Sequence, residues 1–449
     1  MTSQIIQVVK RTGAVVPFNK SRIANAIYRA AVAVGGRDRS VAEALSDQVV
    51  AVLERNYPAG KIPTVEEIQD VVESVLIENG HARTAKAYIL YRDERSRQRT
   101  KKRSTSNRDS GRIPYRTLWE ALSWAVDRDL HSVERMNERL AHGEFAQIVA
   151  ESDAAYEEDI AAAADMILER KDKVRIVIIA GPSSSGKTTT TIKLKSRLER
   201  EGLNLVAFHV DNYFFDLALH PKDEFGDHDY ETPQALDLPL INTHLERLVA
   251  GEQVMMPFYD FKTGVRTDGV KPMQLGPADV LLIDSLHGLF GDMTSSVPDE
   301  QKFRLYIETL LQMKDKNGRF IRWTDLRLMR RMVRDASQRA YSPRQTLEHW
   351  HYVRSSELRN IIPYIRTADC IVNSALPYEL AVMRSRLIDY CNEWVAKYRN
   401  DPLKQDAYVR AVRICDLLHS VSAIDPEEES AIPPTSLMRE FIGGSAYTY

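Results

Sequence analysis

Cysteine is scarce in this chain of 449 residues, which has only Cys370, Cys391 and Cys415, all in its last fifth. Their spacing does not match the spacing of metal ligands, and no Cys-x-x-Cys pair is present. This pattern excludes the common structural zinc sites. We expect buried free thiols in a reducing compartment.

Long apolar runs and an excess of charge of one sign are also missing. The N-terminal stretch MTSQIIQVVKRTGAVVPF has no apolar core of the signal-peptide type, and the apolar run at 176–180 is too short to span a bilayer. The net charge of −2 gives no general attraction to nucleic acid or membranes. We therefore expect a cytoplasmic globular protein that binds neither.

Changes of pattern divide the chain into four parts, in line with its length. Residues 1–95 alternate short strand-like runs with helical patterns, and Ser21 and Thr64 stand where helix N-caps are expected, Thr64 in a capping box with Glu67. Residues 96–170 form a basic linker, which we expect to be solvated, and a helical connector. Residues 396–449 read as a helical tail to which the sequence gives no role.

Residues 171–395 have a different pattern. Apolar runs of strand length alternate with helical segments, which predicts an α/β fold with a parallel sheet flanked by helices. These runs are VRIVIIA, LNLVAFHV, DVLLID and DCIVN.

The segment GPSSSGKT, residues 181–188, fits the pattern G-x-x-x-x-G-K-[ST] between a buried strand and a helical run. In that context the glycines allow backbone N–H groups to surround phosphate oxygens. Lys187 can reach the β- and γ-phosphates, and the Thr188 hydroxyl can bind Mg²⁺. The predicted nucleotide-binding residues are Gly181, Ser183, Ser184, Ser185, Gly186, Lys187, Thr188 and Thr189.

Two carboxylates follow predicted strands, Asp211 after LNLVAFHV and Asp284 after DVLLI. In open parallel sheets, chemistry collects at the carboxyl ends of the strands. One carboxylate can accept a proton from an attacking hydroxyl, and the other can hold Mg²⁺.

Five segments in this order resemble the uridine kinase and phosphoribulokinase family of P-loop kinases. They are GPSSSGKTT, VDNYF, DYETPQALDLPLINTHLERLVAGE, PFYDFKTGVR and RLMRRMVRDASQRAYS. The resemblance extends over residues 174–384, and the last part of it is similar to a long bacterial branch of that family.

The resemblance implies ATP and Mg²⁺ as cofactors and a role for each matching residue. Asp211 is then the catalytic base, and Asp284 binds metal together with Thr188. Arg331, Arg334 and Arg339 belong to a lid that neutralises charge on the phosphates. The expected acceptor-site residues are Asp211, Tyr213, Glu231, Tyr259, Phe261 and Arg266. Gly264 stands where uridine–cytidine kinases carry a histidine that contacts the base.

Residues 5–31 and the later segment GHARTAKAYILYRDER resemble the ATP-cone, a nucleotide-sensing domain of ribonucleotide reductases and their repressor. The resemblance implies that Lys10 and Arg11 face phosphate. It further implies that Val9, Ile23 and Ile27 flank the base and that Thr64 and Arg92 lie near the ligand. A reductase is excluded because no cysteine precedes Cys370, and the zinc-ribbon repressor is excluded because no Cys-x-x-Cys pair exists.

Two functions remain open at this stage. The first is an ATP-dependent small-molecule kinase with a second adenine-nucleotide site, for ATP or dATP, in the cone. The second is a nucleotide-sensing regulator whose P-loop domain binds nucleotide without transferring phosphate. Asp211, the YDF motif and the arginine lid favour the kinase, because a pure switch needs none of them. Cone domains often pair, so we expect a homo-oligomer.

Overall fold

The structure is a computed structural model that divides the chain into two compact units, Met1–Ser110 and Gly111–Tyr449. The residues described are 5–9, 15–33, 38–57, 62–85, 88, 114–220, 232–338, 341–401 and 404–448. None of the helices within these ranges combines the length and the apolar character that a bilayer span requires.

The first unit combines a small hairpin with helices. Strands β1 (Gln7–Val9) and β2 (Val15–Pro17) pair in antiparallel fashion. They are followed by α1 (Lys20–Ala33), α2 (Arg39–Asn56) and α3 (Val65–Glu78). The apolar faces of these helices meet the hairpin in a separate core that includes Ile27, Val49 and Leu76.

One of the two predicted helix caps of this unit is confirmed and the other is wrong. Thr64 accepts a hydrogen bond from the Glu67 N–H at 3.2 Å, and the Glu67 carboxylate accepts from the Thr64 N–H at 2.7 Å, which completes the capping box. Ser21 instead lies inside α1. The cap is Asn19, whose side chain accepts from the Ser21 N–H at 2.9 Å, as asparagine commonly does.

The second unit is built on a parallel five-stranded sheet with β3 at its centre, in the order β4-β7-β3-β8-β9. A separate antiparallel hairpin, β5–β6, lies outside this sheet. The strands of the unit are β3 (Ile176–Ala180), β4 (Asn204–Ala207), β5 (Val254–Asp260), β6 (Val265–Met273), β7 (Asp279–Ser285), β8 (Lys302–Glu308) and β9 (Cys370–Asn373).

Helices cover both faces of this sheet. The helices are α4 (Tyr115–Asp127), α5 (Val133–Ala141), α6 (Phe145–Leu168), α7 (Lys187–Arg200), α8 (Leu238–Val249), α9 (Trp323–Gln338), α10 (Pro343–Asn360), α11 (Glu379–Leu387), α12 (Cys391–Tyr398), α13 (Gln405–Ser420), α14 (Pro426–Glu429) and α15 (Arg439–Ile442).

Strand β3 is buried on both of its faces, which explains why its sequence is uniformly apolar. Val177 and Ile179 face one hydrophobic core, whereas Ile176 and Ile178 face another on the opposite side of the sheet. A strand covered on both faces carries apolar residues at every position, since successive side chains point to opposite faces. The first of these cores contains residues from Leu130 to Phe441. Helices that precede the phosphate loop in the sequence and helices that follow it therefore share one core.

The prediction of three free thiols is wrong. Cys391 at the start of α12 and Cys415 on α13 form a disulfide, with their Cα atoms 5.4 Å apart. Two packed helices bring the residues within the distance that a disulfide can bridge, although 24 positions separate them in the sequence. Cys370 is free and partly buried.

Candidate nucleotide and acceptor site

The phosphate loop joins β3 to α7 in a conformation that depends on its glycines. A Cβ atom on Gly181 would lie 2.4 Å from the carbonyl oxygen of Ile307, so the loop can pass β8 this closely only with glycine there. Gly186 has φ +91° and Ser184 has φ +60°, the left-handed region. This alternation turns successive N–H groups toward one side, the geometry that binds anions.

A cavity of about 190 Å³ lies against this loop. Its lining combines three cationic side chains with the first turn of α7, whose N-terminus also favours negative charge. The lining residues are Ser183, Ser184, Gly186, Lys187, Thr188, Leu286, Arg331, Arg334 and Glu440. Most of the predicted nucleotide-binding residues and two of the three predicted lid arginines therefore meet in one phosphate-sized cavity.

Lys187 stands among opposing charges. Desolvation lowers the pKa of its amine, and the carboxylates of Asp284 and Glu440 act in the opposite direction. Asp284 at the end of β7 accepts a hydrogen bond from the Thr191 hydroxyl at 3.2 Å, and burial raises the pKa of its carboxyl group. The opposite charges of the two groups thus offset part of the desolvation that each undergoes at the carboxyl edge of the sheet.

Helix α9 supplies the arginines of the cavity and fixes their positions. Arg331 donates to the Ser183 hydroxyl at 3.1 Å, and both Arg331 and Arg334 are paired with Asp335, at 3.3 and 2.9 Å. Arg327 is fully buried and donates to the Ser183 carbonyl oxygen at 3.1 Å. The helix thus clamps the loop at Ser183 and directs two guanidinium groups at the phosphate cavity.

Asp211 lies beyond β4 within electrostatic range of this cavity. Desolvation raises the pKa of its carboxyl group, whereas the electrostatic interaction with Lys187 acts in the opposite direction. The residue is open to solvent, so an acceptor molecule can reach it.

The acceptor-site aromatics form a cluster beside the Asp211 segment, since the Tyr259 backbone N–H donates to the Asn212 side-chain oxygen at 3.3 Å. The ring centroids of Tyr259 and Phe261 lie 5.0 Å apart, and the Phe214 ring is 5.6 and 6.1 Å from them. His220 packs face to face on Tyr259 at 6.3 Å. Phe261 is 67% exposed, so an incoming planar or sugar group can contact its face.

Tyr213 does not join this cluster. Its side chain is fully buried, and its hydroxyl group is bonded to His244 Nδ1 at 2.7 Å and to the sulfur of Met256 at 3.3 Å. This placement assigns Tyr213 to the core and contradicts its prediction as a substrate-contacting residue. The neighbouring Phe214, which directly follows the short 3-10 helix Val210–Tyr213, joins the aromatic cluster instead.

Arg266 and Gly264 lie on the β5–β6 hairpin. Arg266 is largely buried and paired with Asp237 at 3.0 Å and with Asp268 at 2.9 Å. Gly264 has φ +69°, and a Cβ atom on it would lie 2.8 Å from the Cβ atom of Leu217. The left-handed backbone conformation favours glycine at position 264, and a side chain there would also require Leu217 to shift.

The first unit has its own cavity, of about 220 Å³ and mostly apolar. Ile23, Phe18 and Tyr88 are among its lining residues, and Arg22 and Gln69 add polar groups. Of the predicted base contacts, Ile23 reaches this cavity. Ile27 lies in the core, and Thr64 serves as the α3 cap.

Several predicted residues lie outside the described parts of the chain: Lys10, Arg11, Arg92, Glu231 and Arg339. Conversely, two residues of the site were not predicted: Glu440 in the phosphate cavity and Phe214 in the aromatic cluster. Phe214 could have been found from its place in VDNYF, since Asp211 was recognised there. Glu440 carries no local signal.

The donors near the cavity suit Mg²⁺, which prefers oxygen ligands and is commonly held by one or two protein groups together with substrate phosphates. The Thr188 hydroxyl lines the cavity, and the Asp284 carboxylate acts on Lys187, another lining residue. Within the described ranges, no group of three or more His, Cys, Asp or Glu side chains could hold a metal ion by itself.

Comparison with known proteins identifies both units. Residues 6–97 match the ATP cone domain, and residues 176–380 match the phosphoribulokinase / uridine kinase family. Uridine kinase from Chloroflexus aurantiacus is 30% identical over 199 residues, which cover 44% of this chain and 85% of that protein. Uridine kinase from Deinococcus deserti is 27% identical over 198 residues, covering 44% and 86% of the two chains.

Among solved structures, a possible uridine kinase from Bacillus stearothermophilus matches 48% of this chain and 98% of its own, at 19% identity and a TM-score of 0.33. The sequence relatives, the matched family models and the phosphate-loop geometry lead to one assignment. The chain belongs to the phosphoribulokinase / uridine kinase family and carries an ATP-cone domain ahead of its kinase domain.

Proposed function

We propose that the protein transfers the γ-phosphoryl group of ATP to a hydroxyl group of a nucleoside, uridine-like, or of a sugar. One observation carries this proposal: Asp211 stands within electrostatic range of Lys187 and beside an aromatic cluster, at the same edge of the sheet as the phosphate cavity. A base, a phosphate clamp and a surface for an acceptor are the parts that phosphoryl transfer needs.

The chain's residues act at successive points of the transfer. Backbone N–H groups of 183–188 hold the phosphates, and Lys187, Arg331 and Arg334 neutralise charge on the transferring group. Asp211 accepts the proton of the acceptor hydroxyl as its oxygen attacks the γ-phosphorus. The bond to the β-phosphate oxygen breaks and ADP leaves, so the products are the phosphate ester, ADP and the proton on Asp211.

The metal site fits the same arrangement. Thr188 and Asp284 would hold Mg²⁺, directly or through water, and the ion would offset charge between the β- and γ-phosphates. Thr191 orients Asp284 for this task through its hydrogen bond to the carboxylate.

The cone unit adds control in this proposal. Its apolar cavity accommodates an adenine ring against Ile23 and Phe18, and Lys10 and Arg11 belong to the segment between β1 and β2. Binding there would alter nucleotide affinity in the kinase unit by the usual allosteric 1–3 kcal/mol, about 5- to 150-fold. Calorimetry of Lys187→Ala should still detect one nucleotide site, and adding Lys10→Ala should remove it. If the wild-type protein bound nucleotide only at the phosphate loop, the proposal of a second nucleotide site in the cone unit would be wrong.

The decisive experiment incubates the protein with labelled ATP, Mg²⁺ and single acceptors from a panel of nucleosides, pentoses and phosphosugars. Transfer to any member that is lost in Lys187→Ala supports the kinase. Tight ATP binding without transfer to any acceptor supports the regulatory alternative. Asp211→Asn is the matched control, because it removes the base and leaves the phosphate cavity intact. This variant should still bind ATP but should transfer phosphate much more slowly.

A further inference from the structure

The C-terminal segment, residues 432–448, reaches into the phosphate cavity. Glu440 on α15 is 6% exposed and lines that cavity together with Lys187, Arg331 and Arg334. Its carboxylate accepts two hydrogen bonds from Thr189, one from the backbone N–H at 3.0 Å and one from the hydroxyl at 2.7 Å.

These are the donors that a nucleotide would use. Thr189 is the third residue of α7, and Gly186 before the helix has no side chain to cap it. The N-terminal N–H groups of this helix are therefore open to an anion, and a carboxylate of the chain has taken the one at Thr189. One N–H and one hydroxyl hydrogen cannot be donated fully to a carboxylate and to a phosphate oxygen at the same time.

We propose that Glu440 is a built-in competitor of the nucleotide, whose carboxylate holds the phosphate position at Thr189 until a nucleotide displaces it. This inference rests on the proposed function only in naming a nucleoside triphosphate as the ligand. It assigns the tail a role in setting nucleotide affinity.

The displacement involves the side chain alone. Leu437, Met438 and Phe441 are fully buried, and Leu437 packs directly on Gly186, where an added Cβ would be 2.6 Å from its Cδ1 atom. The backbone of the segment is therefore anchored, and the flexible Glu440 side chain can rotate away from Thr189. A carboxylate left beside bound phosphates would repel them, which favours this rotation.

The test is calorimetric titration with MgATP in the absence of any acceptor, following the binding component that Lys187→Ala removes. Glu440→Ala should lower the dissociation constant about tenfold, the equivalent of ~1.4 kcal/mol. Glu440→Gln should lower it as well, since a neutral amide neither repels phosphate nor accepts as strongly. Glu429→Ala is the control, because that carboxylate lies on the same tail and pairs with Arg386.

A double-mutant cycle with Thr189→Val separates competition from a purely structural cap. With Glu440 present, the Thr189 hydroxyl bonds the carboxylate in the free protein and phosphate in the complex. Its loss weakens both states alike, so the affinity for MgATP should change less than about twofold. In the Glu440→Ala background the same substitution should weaken binding about tenfold. A simple cap predicts weaker binding in Glu440→Ala. Binding that is weaker or unchanged in both Glu440 variants would overturn the proposal, whether or not the protein transfers phosphate.

Discussion

Arg330 and Arg331 are neighbours on α9 with opposite surroundings. Arg330 and Glu379 are both 0% exposed and share two hydrogen bonds, of 2.5 and 2.9 Å. Arg330 also donates to the Ser374 carbonyl oxygen at 2.6 Å. Arg331 faces the phosphate cavity and is 17% exposed. Replacing each arginine by alanine should therefore affect different properties of the protein.

The expected loss of unfolding free energy depends on whether the substitution leaves a buried carboxylate without a partner. Arg330→Ala strands the buried Glu379 carboxylate, which typically costs about 3–5 kcal/mol of unfolding free energy, a large part of the roughly 5–15 kcal/mol of a domain. Arg331→Ala leaves Asp335 paired with Arg334 at 2.9 Å, so its cost should be smaller, about 0.5–1.5 kcal/mol. Its turnover should fall about 10²-fold, because a donor to the transferring phosphoryl group is lost.

Urea unfolding followed by tryptophan fluorescence measures the unfolding free energy of the second unit alone. All five tryptophans, from Trp119 to Trp394, lie in that unit. Arg330→Met combined with Glu379→Gln should recover much of the lost stability, because it removes both charges together. Equal losses of stability in Arg330→Ala and Arg331→Ala would refute the division of roles along α9.

Three shorter predictions concern single residues. Asp211→Asn should keep ATP affinity in calorimetry and lower turnover by about 10²–10⁴, and wild-type turnover would exclude it as the base. In the same titration, Gly181→Ala should abolish the binding component that Lys187→Ala also removes, because the new methyl group would lie 2.4 Å from the Ile307 carbonyl oxygen. Burial raises the pKa of Asp159 to about 6 from 3.8, so the folded protein binds the extra proton and gains stability as the pH falls from 7 to 4. Asp159→Asn should thus stabilise the protein at pH 7 by up to about 3 kcal/mol in urea unfolding, with the gain gone near pH 4.

The sequence predicted the parts of the fold whose signals are local. The strand–loop–helix around 181–188 and the four apolar strands are confirmed, because buried parallel strands are continuous apolar runs. Strand β8, KFRLYIE, was not predicted, because Lys302 and Arg304 interrupt its apolar pattern. Lys302 is nonetheless 3% exposed, with its amine bonded to the Thr294 carbonyl oxygen at 2.9 Å.

The unpredicted parts of the site depend on contacts between distant segments. Glu440 meets Thr189 across 251 positions, and nothing in the tail's own sequence indicates a phosphate loop as its partner. Tyr213 and Phe214 are adjacent aromatic residues, and only the direction of the turn decides which one enters the core. The pairing of Cys391 with Cys415 likewise requires two helices to be packed before it can be seen.

The identity of the acceptor leads to the last prediction, which concerns Gly264. The resemblance places a base-contacting histidine there in uridine–cytidine kinases, and here the position is glycine, with a left-handed backbone conformation and Leu217 against it. Among the described residues, the cluster of Phe214, Tyr259 and Phe261 offers mainly aromatic faces, which stack on any base or cover a sugar. His220, which stacks on Tyr259, is bonded through Nε2 to the Phe215 carbonyl oxygen. A site with no dedicated hydrogen-bond reader discriminates weakly between isosteric acceptors.

We therefore expect uridine to be accepted without a large preference over other bases. The measurement is a competition assay with uridine, cytidine, inosine and pentose phosphates at equal concentration, in which the ratios of kcat/KM should stay well below about 10⁴. Tyr259→Phe is the matched control: it keeps the ring and removes the hydroxyl group, so it should leave these ratios unchanged. A uridine preference above about 10⁴ that collapses in Tyr259→Phe would show that this hydroxyl reads the base, and that a glycine at position 264 does not make the site permissive.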